Sequence, residues 1–342
     1  MKTETSVLAL ARDMGSANVI GPIVQELRNS GFKVVLFAEE DGKGIDKFRQ
    51  AGIDFSPLLA GSSLEDMVHT YNPEVVITGL SSPRHLESDL DREARKRGIP
   101  VVNVEDYWGV HARCVAPPDL VITIDKTSAV LVHQVYPKAR LCVAGLAGIL
   151  PVIPRPEVVE KFDQLRRNSG AKIVVFTDGD IMCKPGLRLL CECIRLTKMP
   201  VRLVPNFHPK YVNAPMPGYA GTWGERWEEV LQPLRDIGGV CDIACTGDEA
   251  AMLADATVSS FSTLLFRAAN MGKHAVTVWT EAAAAHVGRV ANLKEAPLMM
   301  KGGFPVIREP VPLDDILAST PPRLNINPFD AAVAADAVQK FL

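Results

Sequence analysis

The chain has 342 residues, 47% of them hydrophobic and 23% charged, with a formal net charge of −3. That length supplies two domains with full cores, at roughly 100–200 residues each. A slightly acidic chain without a basic block is a poor candidate for binding nucleic acid or a membrane surface, although net charge leaves a local basic pocket open.

The start, MKTETSVLALAR, holds only a short apolar run before Arg12 and Asp13, so no signal peptide is expected. No stretch approaches the ~20 apolar residues that span a bilayer, so the expected location is the cytoplasm, without integral membrane contact. The cysteines (Cys114, Cys142, Cys183, Cys191, Cys193, Cys241 and Cys245) are odd in number and lack a repeated spacing. They read as small buried hydrophobes rather than a disulfide framework or a zinc site.

In chain order, residues 6–11 read as a strand, 18–30 as an amphipathic helix stopped by Gly31, and 33–38 as the second strand. A helix at 44–50 closes at Gly52, and another at 63–70 has Ser62 or Ser63 as its cap. Strand 74–78, charged helix 86–97, strand 100–104, strand 119–124, helix 126–136 and strand 140–144 complete the first half. Short β-rich runs separated by helices predict a parallel sheet covered on both faces.

The stretch LPVIPRP at 150–156 reads as a linker, after which the alternation resumes. Strand 172–177, helix 186–196 and strand 201–205 lead into a Pro/Gly/aromatic loop at 206–227. Helix 228–236, strand 241–244, helix 247–254, strand 257–259, helix 263–271 and strand 274–279 follow. Residues 305–328 read as irregular, and 330–341 as a closing helix. The predicted fold is α/β, with two Rossmann-like doubly wound domains at 1–150 and 151–329. In such sheets ligands sit at the carboxyl ends of the strands, and with two halves the cleft between them is the default site.

Three stretches carry chemistry. The turn Arg12–Asp13–Met14–Gly15–Ser16–Ala17 follows a strand and opens a helix, so its backbone N–H groups can face a phosphate or sugar; the same turn also serves packing alone. No G-x-G-x-x-G is present, and Glu39–Glu40 alone does not make a nicotinamide cofactor site. At Asn206–Phe207–His208–Pro209 a histidine just past a strand can bond a phosphate oxygen or act as acid or base, and it can equally cap its own loop. Ser259, Ser260, Ser262 and Thr263 lead into a helix, and four hydroxyls exceed what one N-cap needs, which favours an anion site.

Residues 248–279 resemble the pattern of GT-B-type glycosyltransferases, in which an Asp-rich stretch and a Ser-Thr pair lead into a helix, a glycine and a strand. The His-Pro pair followed by the Ser/Thr cluster is similar to motifs of capsule-type and glycerophosphate transferases. NVEDYWGVHARC, PPDLVITID and ARLCVAGLAG in the first half are similar to stretches of the UDP-GlcNAc 2-epimerase-like branch. The resemblance implies a donor nucleotide on the second domain and an acceptor on the first. It implies that His208, Ser262 and Thr263 contact the diphosphate, that Gly179 and Asp180 line the same pocket, and that Gly15 and Ser16 approach the transferred group. It also implies that the closing helix crosses back onto the first domain. Where the family has a glutamate for the nucleotide ribose, this sequence has Arg267, which can pair with a carboxylate or phosphate instead. Lys273–His274 stands in place of Lys-Pro.

Glycosyl transfer by inversion needs a base for the acceptor proton and positive charge or N–H dipoles on the leaving diphosphate. Asp13 is the first candidate for the base, with His85, Asp106 and His111 next; His286 follows an alanine run that fits a mobile helix at the cleft. Asp178 and Asp180 could hold magnesium, but no metal-binding constellation stands out and no cofactor is expected beyond a nucleotide-activated donor. Three functions stay open: a metal-independent transferase of a sugar or polyol phosphate, a 2-epimerase-like isomerase or hydrolase, and a non-catalytic protein that kept the fold. The expected partner is a small nucleotide-linked molecule, and a homodimer is compatible with everything above.

Overall fold

The computed structural model describes residues 6–59, 61–81, 86–216 and 220–342, with the side chains of 180–182 and 209–210 outside the described set. The chain divides into two units, one of Met1–Gly148 with Val290–Asn292 and Ile326–Leu342, the other of Ile149–Arg289 with Leu293–Asn325.

The sheet of the first unit contains β1 (Ser6–Ala11), β2 (Lys33–Glu39), β3 (Ser56–Leu58), β4 (Val75–Thr78), β5 (Val101–Val104), β6 (Leu120–Thr123) and β7 (Arg140–Val143). Its order is β3-β2-β1-β4-β5-β6-β7, and the pairings are parallel. The strands are continuous apolar runs because helices cover both faces. In β1, Val7, Ala9 and Ala11 enter one core with Ile20 and Val24 of the Met14–Asn29 helix, while Leu8 and Leu10 enter the other with Leu90 and Ala94. The closing Ala331–Gln339 helix adds Ala334, Ala335 and Val338 to the first of these cores. Its approach requires Gly145, whose φ is 98° and whose α-hydrogen faces the Pro328 carbonyl; a Cβ there would lie 2.2 Å from that oxygen.

The second unit has β8 (Lys172–Phe176), β9 (Val201–Pro205), β10 (Ala256–Ser259), β11 (His274–Val278) and β12 (Val306–Ile307), in the order β12-β11-β10-β8-β9, again parallel. Val174 and Phe176 of β8 pack into one core, Ile173 and Val175 into the other. Both sheets reverse their order next to the first strand of the unit, between β1 and β4 and between β8 and β10, which are the switch points where such folds bind ligands.

Several elements differ from expectation. The helix expected at 18–30 begins at Met14, because Gly15 and Ser16 are helical rather than part of a turn. The helix expected from 186 begins at Asp180 and runs through Pro185, giving up one backbone rung. The proline-rich linker ends in an unforeseen helix, Pro156–Ser169, with proline at its first turn and Val158 and Phe162 on its buried face. The 206–227 loop holds a short Pro209–Val212 helix and the start of Trp223–Arg235, and the 305–328 tail holds β12 and Asp314–Ala318. Edge strand β3 was also not foreseen.

The strand expected at 241–244 is reduced to one bridge between Leu203 and Val240. Leu203 N–H donates to Gly239 and Cys241 N–H donates to Leu203, and the next rung would need an N–H from Pro205, which has none. Cys183, Cys191 and Cys193 are buried and the other four cysteines half-buried, all as free thiols.

Candidate functional site

In the first unit the switch point is built on a buried carboxylate. Glu87, from the Leu86–Lys96 helix, accepts the Arg12 N–H at 3.0 Å and the Ser81 N–H at 2.8 Å, tying the end of β1 to the end of β4. Burial pushes its carboxyl up to about 7 against those donors. The Asp13 N–H donates to the Ser81 hydroxyl at 3.3 Å, and the Ser16 hydroxyl donates to the Asp13 carbonyl at 3.0 Å. Gly79 must be glycine here, since a Cβ would lie 2.2 Å from the Ser16 Cβ.

Arg12 fans out to Asp13 at 3.0 Å, Glu39 at 3.3 Å and Asp41 at 3.2 Å. Asp13, the first candidate for the base, is therefore held in an ion pair, and the buried Ser16 hydroxyl is turned onto the backbone. Gly15 faces Asp106 instead of open space: an added Cβ would lie 1.8 Å from Asp106 Oδ2. Burial pushes the Asp106 carboxyl up to about 6, opposed by Arg113. Arg113 is fixed in turn by donating to the carbonyls of Val290 (3.0 Å) and Leu80 (2.7 Å).

Beside Asp106, Glu105 is buried and accepts from both His111 Nδ1, at 2.7 Å, and the Ser128 hydroxyl. Burial raises the Glu105 carboxyl while these two partners lower it. The ends of β1, β4 and β5 thus gather Asp13, Gly15, Ser16, Asp106 and Arg113, and His111 follows on the 3₁₀ turn at Val110–Arg113 with Glu105 behind its ring. Glu105, Glu87 and Arg113 were not singled out from the sequence. Glu105 was legible as an acid at a strand end in NVEDYW; Glu87 was not, because it lies in a helix full of charges.

In the second unit Asp178 performs the corresponding task. Its carboxylate accepts from the Ser259 hydroxyl at 3.2 Å and the Ser260 N–H at 2.8 Å, and its carbonyl accepts the His208 N–H at 3.0 Å. The ends of β8, β9 and β10 are so joined, and burial pushes the Asp178 carboxyl up to about 6. Each of its oxygens thus accepts from a protein donor, and the side chain of Asp180, the other acid named for magnesium, lies outside the described residues.

Gly179 is the cap residue of the Asp180–Leu196 helix and, as a glycine, offers its first N–H groups no side-chain acceptor of its own. It is close-packed under His208 and Tyr211, where a Cβ would lie 2.9 Å and 2.7 Å from their side chains. His208 itself is exposed. Ser259 and Ser260 are buried, so of the four hydroxyl residues only Ser262 and Thr263 reach the surface; Ser262 accepts the Leu264 N–H at 3.2 Å and starts the Thr263–Asn270 helix. The structure brings Gly179, His208, Ser260 and Ser262 together around one switch point.

Arg267 is buried and pairs with Asp248 in the first turn of the Gly247–Leu253 helix. Lys273 is also turned inward, donating to the carbonyls of Met252 and Ala254 at the end of that helix. His286, on the Glu281–Ala291 helix, is buried, with its ring 6.4 Å from Phe261 and its Nδ1 3.2 Å from Arg289 Nη2. Asp180 opens its helix with a side chain outside the described residues, and His85 lies outside them altogether. Among the described residues no cluster of three or more His, Cys, Asp or Glu could hold a metal, and no helix is long and apolar enough to cross a membrane.

No protein-family model and no curated protein sequence matches this chain. Solved structures do. A UDP-N-acetylglucosamine 2-epimerase from Rickettsia bellii superposes with a TM-score of 0.59 at 12% identity, covering 99% of this chain and 95% of that one. Anabaena Alr3699/HepE, solved in complex with UDP and glucose, gives 0.58 at 12% identity over 98% and 95%. Acinetobacter baumannii MurG gives 0.51 at 12% identity over 88% and 85%. The fold is therefore that of the GT-B glycosyltransferases and the 2-epimerases, two Rossmann-like domains with parallel sheets.

Proposed function

We propose that the chain is a GT-B-type transferase that moves a sugar or polyol phosphate from a nucleotide-activated donor, without a metal. One observation carries this reading. At the switch point of the second unit, the glycine-capped start of the Asp180–Leu196 helix, the Ser262–Thr263 start of another helix and the exposed His208 gather at the ends of β8, β9 and β10. Helix N–H groups of this kind bind a diphosphate and neutralise the charge that collects on it as it leaves. For sugar transfer, the acceptor hydroxyl gives its proton to Asp106, its oxygen bonds to the anomeric carbon, and the bond from that carbon to the diphosphate oxygen breaks. With its carboxyl near 6, Asp106 is mostly ionised at neutral pH and still basic enough to take a proton. The reading carries with it a cytoplasmic location, where nucleotide-activated sugars are made.

The test is turnover of UDP-, CDP-, GDP- and dTDP-sugars with and without acceptor alcohols, for the wild type and for Asp106→Asn and His208→Ala. Acceptor-dependent release of nucleotide that falls about 10²-fold or more in Asp106→Asn supports the reading. Silence with every donor, with no thermal shift by any nucleotide, overturns it.

A second reading, a 2-epimerase-like isomerase or hydrolase, is favoured by the Ser128–Glu105–His111 chain beside Asp106. A transfer needs one base, and this unit offers a second proton-handling group. Turnover of a UDP-sugar without any acceptor would support it over transfer.

A further inference from the structure

The outer face of the Asp180–Leu196 helix runs against the net charge of the chain. A groove of about 320 Å³ lies between it and the Trp223–Arg235 helix, with Lys184, Arg188 and Arg195 on one wall and Arg226 on the other. A neighbouring hollow of about 330 Å³ shares Lys184 and Arg188 and adds Arg308. The carboxylates of the two hollows are Glu192 and Glu229, and Glu229 is engaged by Arg226. Among the described residues Lys184, Arg188, Arg195 and Arg308 form no ion pair. Burial, followed by Arg226 and Arg188, lowers the Lys184 ammonium, so like charges are held within reach of one another.

Packing does not demand this arrangement. The helix anchors itself through Leu187, Leu190 and Ile194 on its opposite face. Residues 184, 188 and 195 fall on one stripe of the helix with Glu192 as the carboxylate between them, and the excess of like charge there weakens the fold unless an anion offsets it. The rest of the lining is apolar, with Val230, Pro233 and Leu234. It has no aromatic ring on which a nucleobase could stack.

We infer that this groove is a binding site for a small organic phosphate, the phosphate on Lys184 and Arg188 and the carbon skeleton against Val230 and Pro233. Arginine forks suit phosphate oxygens, and the volume suits a molecule of a few carbons. The groove shares no lining residue with the Gly179–His208–Ser262 switch point. The inference does not depend on the transferase reading.

Isothermal titration with glycerol phosphate and with pyrophosphate tests it, comparing the wild type, Arg188→Glu/Arg195→Glu, Lys184→Met and His208→Ala. Arg188 and Arg195 are exposed, so the double reversal keeps the fold, which circular dichroism checks. The expected result is wild-type binding of glycerol phosphate that weakens at least ten-fold in both groove variants and is unchanged in His208→Ala. No binding by the wild type, or binding that the groove variants leave intact, overturns the inference. Loss in His208→Ala alone does so too, by assigning the anion to the switch point. A parallel flotation assay with phosphatidylglycerol vesicles separates the sources of phosphate. Vesicle binding abolished by the double reversal, with no affinity for the soluble phosphates, would overturn a small-molecule site in favour of a headgroup surface.

Discussion

Asp106 lies so close to Gly15 that a methyl group on Gly15 would sit 1.8 Å from the carboxylate oxygen Oδ2. The glycine after β1 therefore makes room for a protein carboxylate at the helix start, where the sequence suggested room for a ligand. Gly15→Ala should leave the protein folded, since the position is helical and alanine favours a helix by about 1 kcal/mol over glycine. It should drive the Asp106 side chain from its seat, and displacement of a reacting group by about 1 Å costs on the order of 10²-fold in rate. The expected outcome is a thermal midpoint within a few degrees of wild type and a large loss of donor turnover. Unchanged turnover would remove Asp106 from the chemistry.

Burial of Asp91 gives the first unit a pH-dependent stability. The Asp91 carboxylate accepts from Thr78 at 2.7 Å and Asn103 at 3.0 Å, and burial nevertheless pushes it up to about 7. An unfolded aspartate titrates near 3.9, so between that value and about 7 the folded state keeps a proton that the unfolded state has released. The contribution is fully present below the window and is lost as pH rises through it. Stability from urea unfolding should fall between pH 5 and 7, with Asp91 contributing at most about 1.4 kcal/mol per pH unit. Asp91→Asn should show a shallower slope; an identical slope would mean that Asp91 stays ionised in the fold.

Glu249 has the opposite sign. Its oxygens accept the Arg155 N–H at 3.0 Å, Arg155 Nε at 2.8 Å and Nη2 at 2.9 Å, and the Thr246 N–H at 2.8 Å, fastening the end of the proline-rich linker to the Gly247–Leu253 helix. Arg155 holds the carboxyl well below its ordinary range. This contribution is present above the unfolded value near 4.3 and is lost as pH falls toward the folded one. Glu249→Gln should lower the thermal midpoint at pH 7 by roughly 2–4 °C. It should also flatten the acid limb of a stability profile measured below pH 4.5.

The periodic apolar runs placed ten of the twelve strands among the described residues and most of the long helices between them, because a doubly covered parallel sheet leaves a strong imprint on sequence. What escaped depends on partners distant in the chain. Pro205 ends a ladder expected to continue at 241–244, and nothing in CDIA announces that the facing residue lacks an N–H. Ser259 and Ser260 read as ligand groups, yet Asp178 takes the hydroxyl of one and the N–H of the other. Asp13 read as the first candidate for the base because Arg12 could not be seen turning back onto it, with Glu39 and Asp41 around the same guanidinium. His208 and Thr263 are exposed, Ser262 is half-buried and the Asp106 carboxyl is made more basic by burial, and these are the residues on which the functional reading rests.

The departure at Arg267 has a structural reason that can be measured. Its guanidinium is buried and meets Asp248, whose side chain keeps 41% of its exposure. Removing the acid takes one partner from a buried cation, so Asp248→Ala should cost about 1–3 kcal/mol, less than a fully buried pair because Asp248 is partly solvated. Arg267→Glu, which writes in the residue that the GT-B pattern carries there, sets two carboxylates against each other and should destabilise more than Asp248→Ala. It should not create ordinary UDP binding, since the glutamate would enter a pocket shaped for an ion pair. Exchanging both, Asp248→Arg with Arg267→Glu, should recover part of the lost stability in urea unfolding. If Arg267→Glu instead folds as well as wild type and gains affinity for UDP by titration, the ion pair is dispensable and Arg267 has displaced a ribose contact.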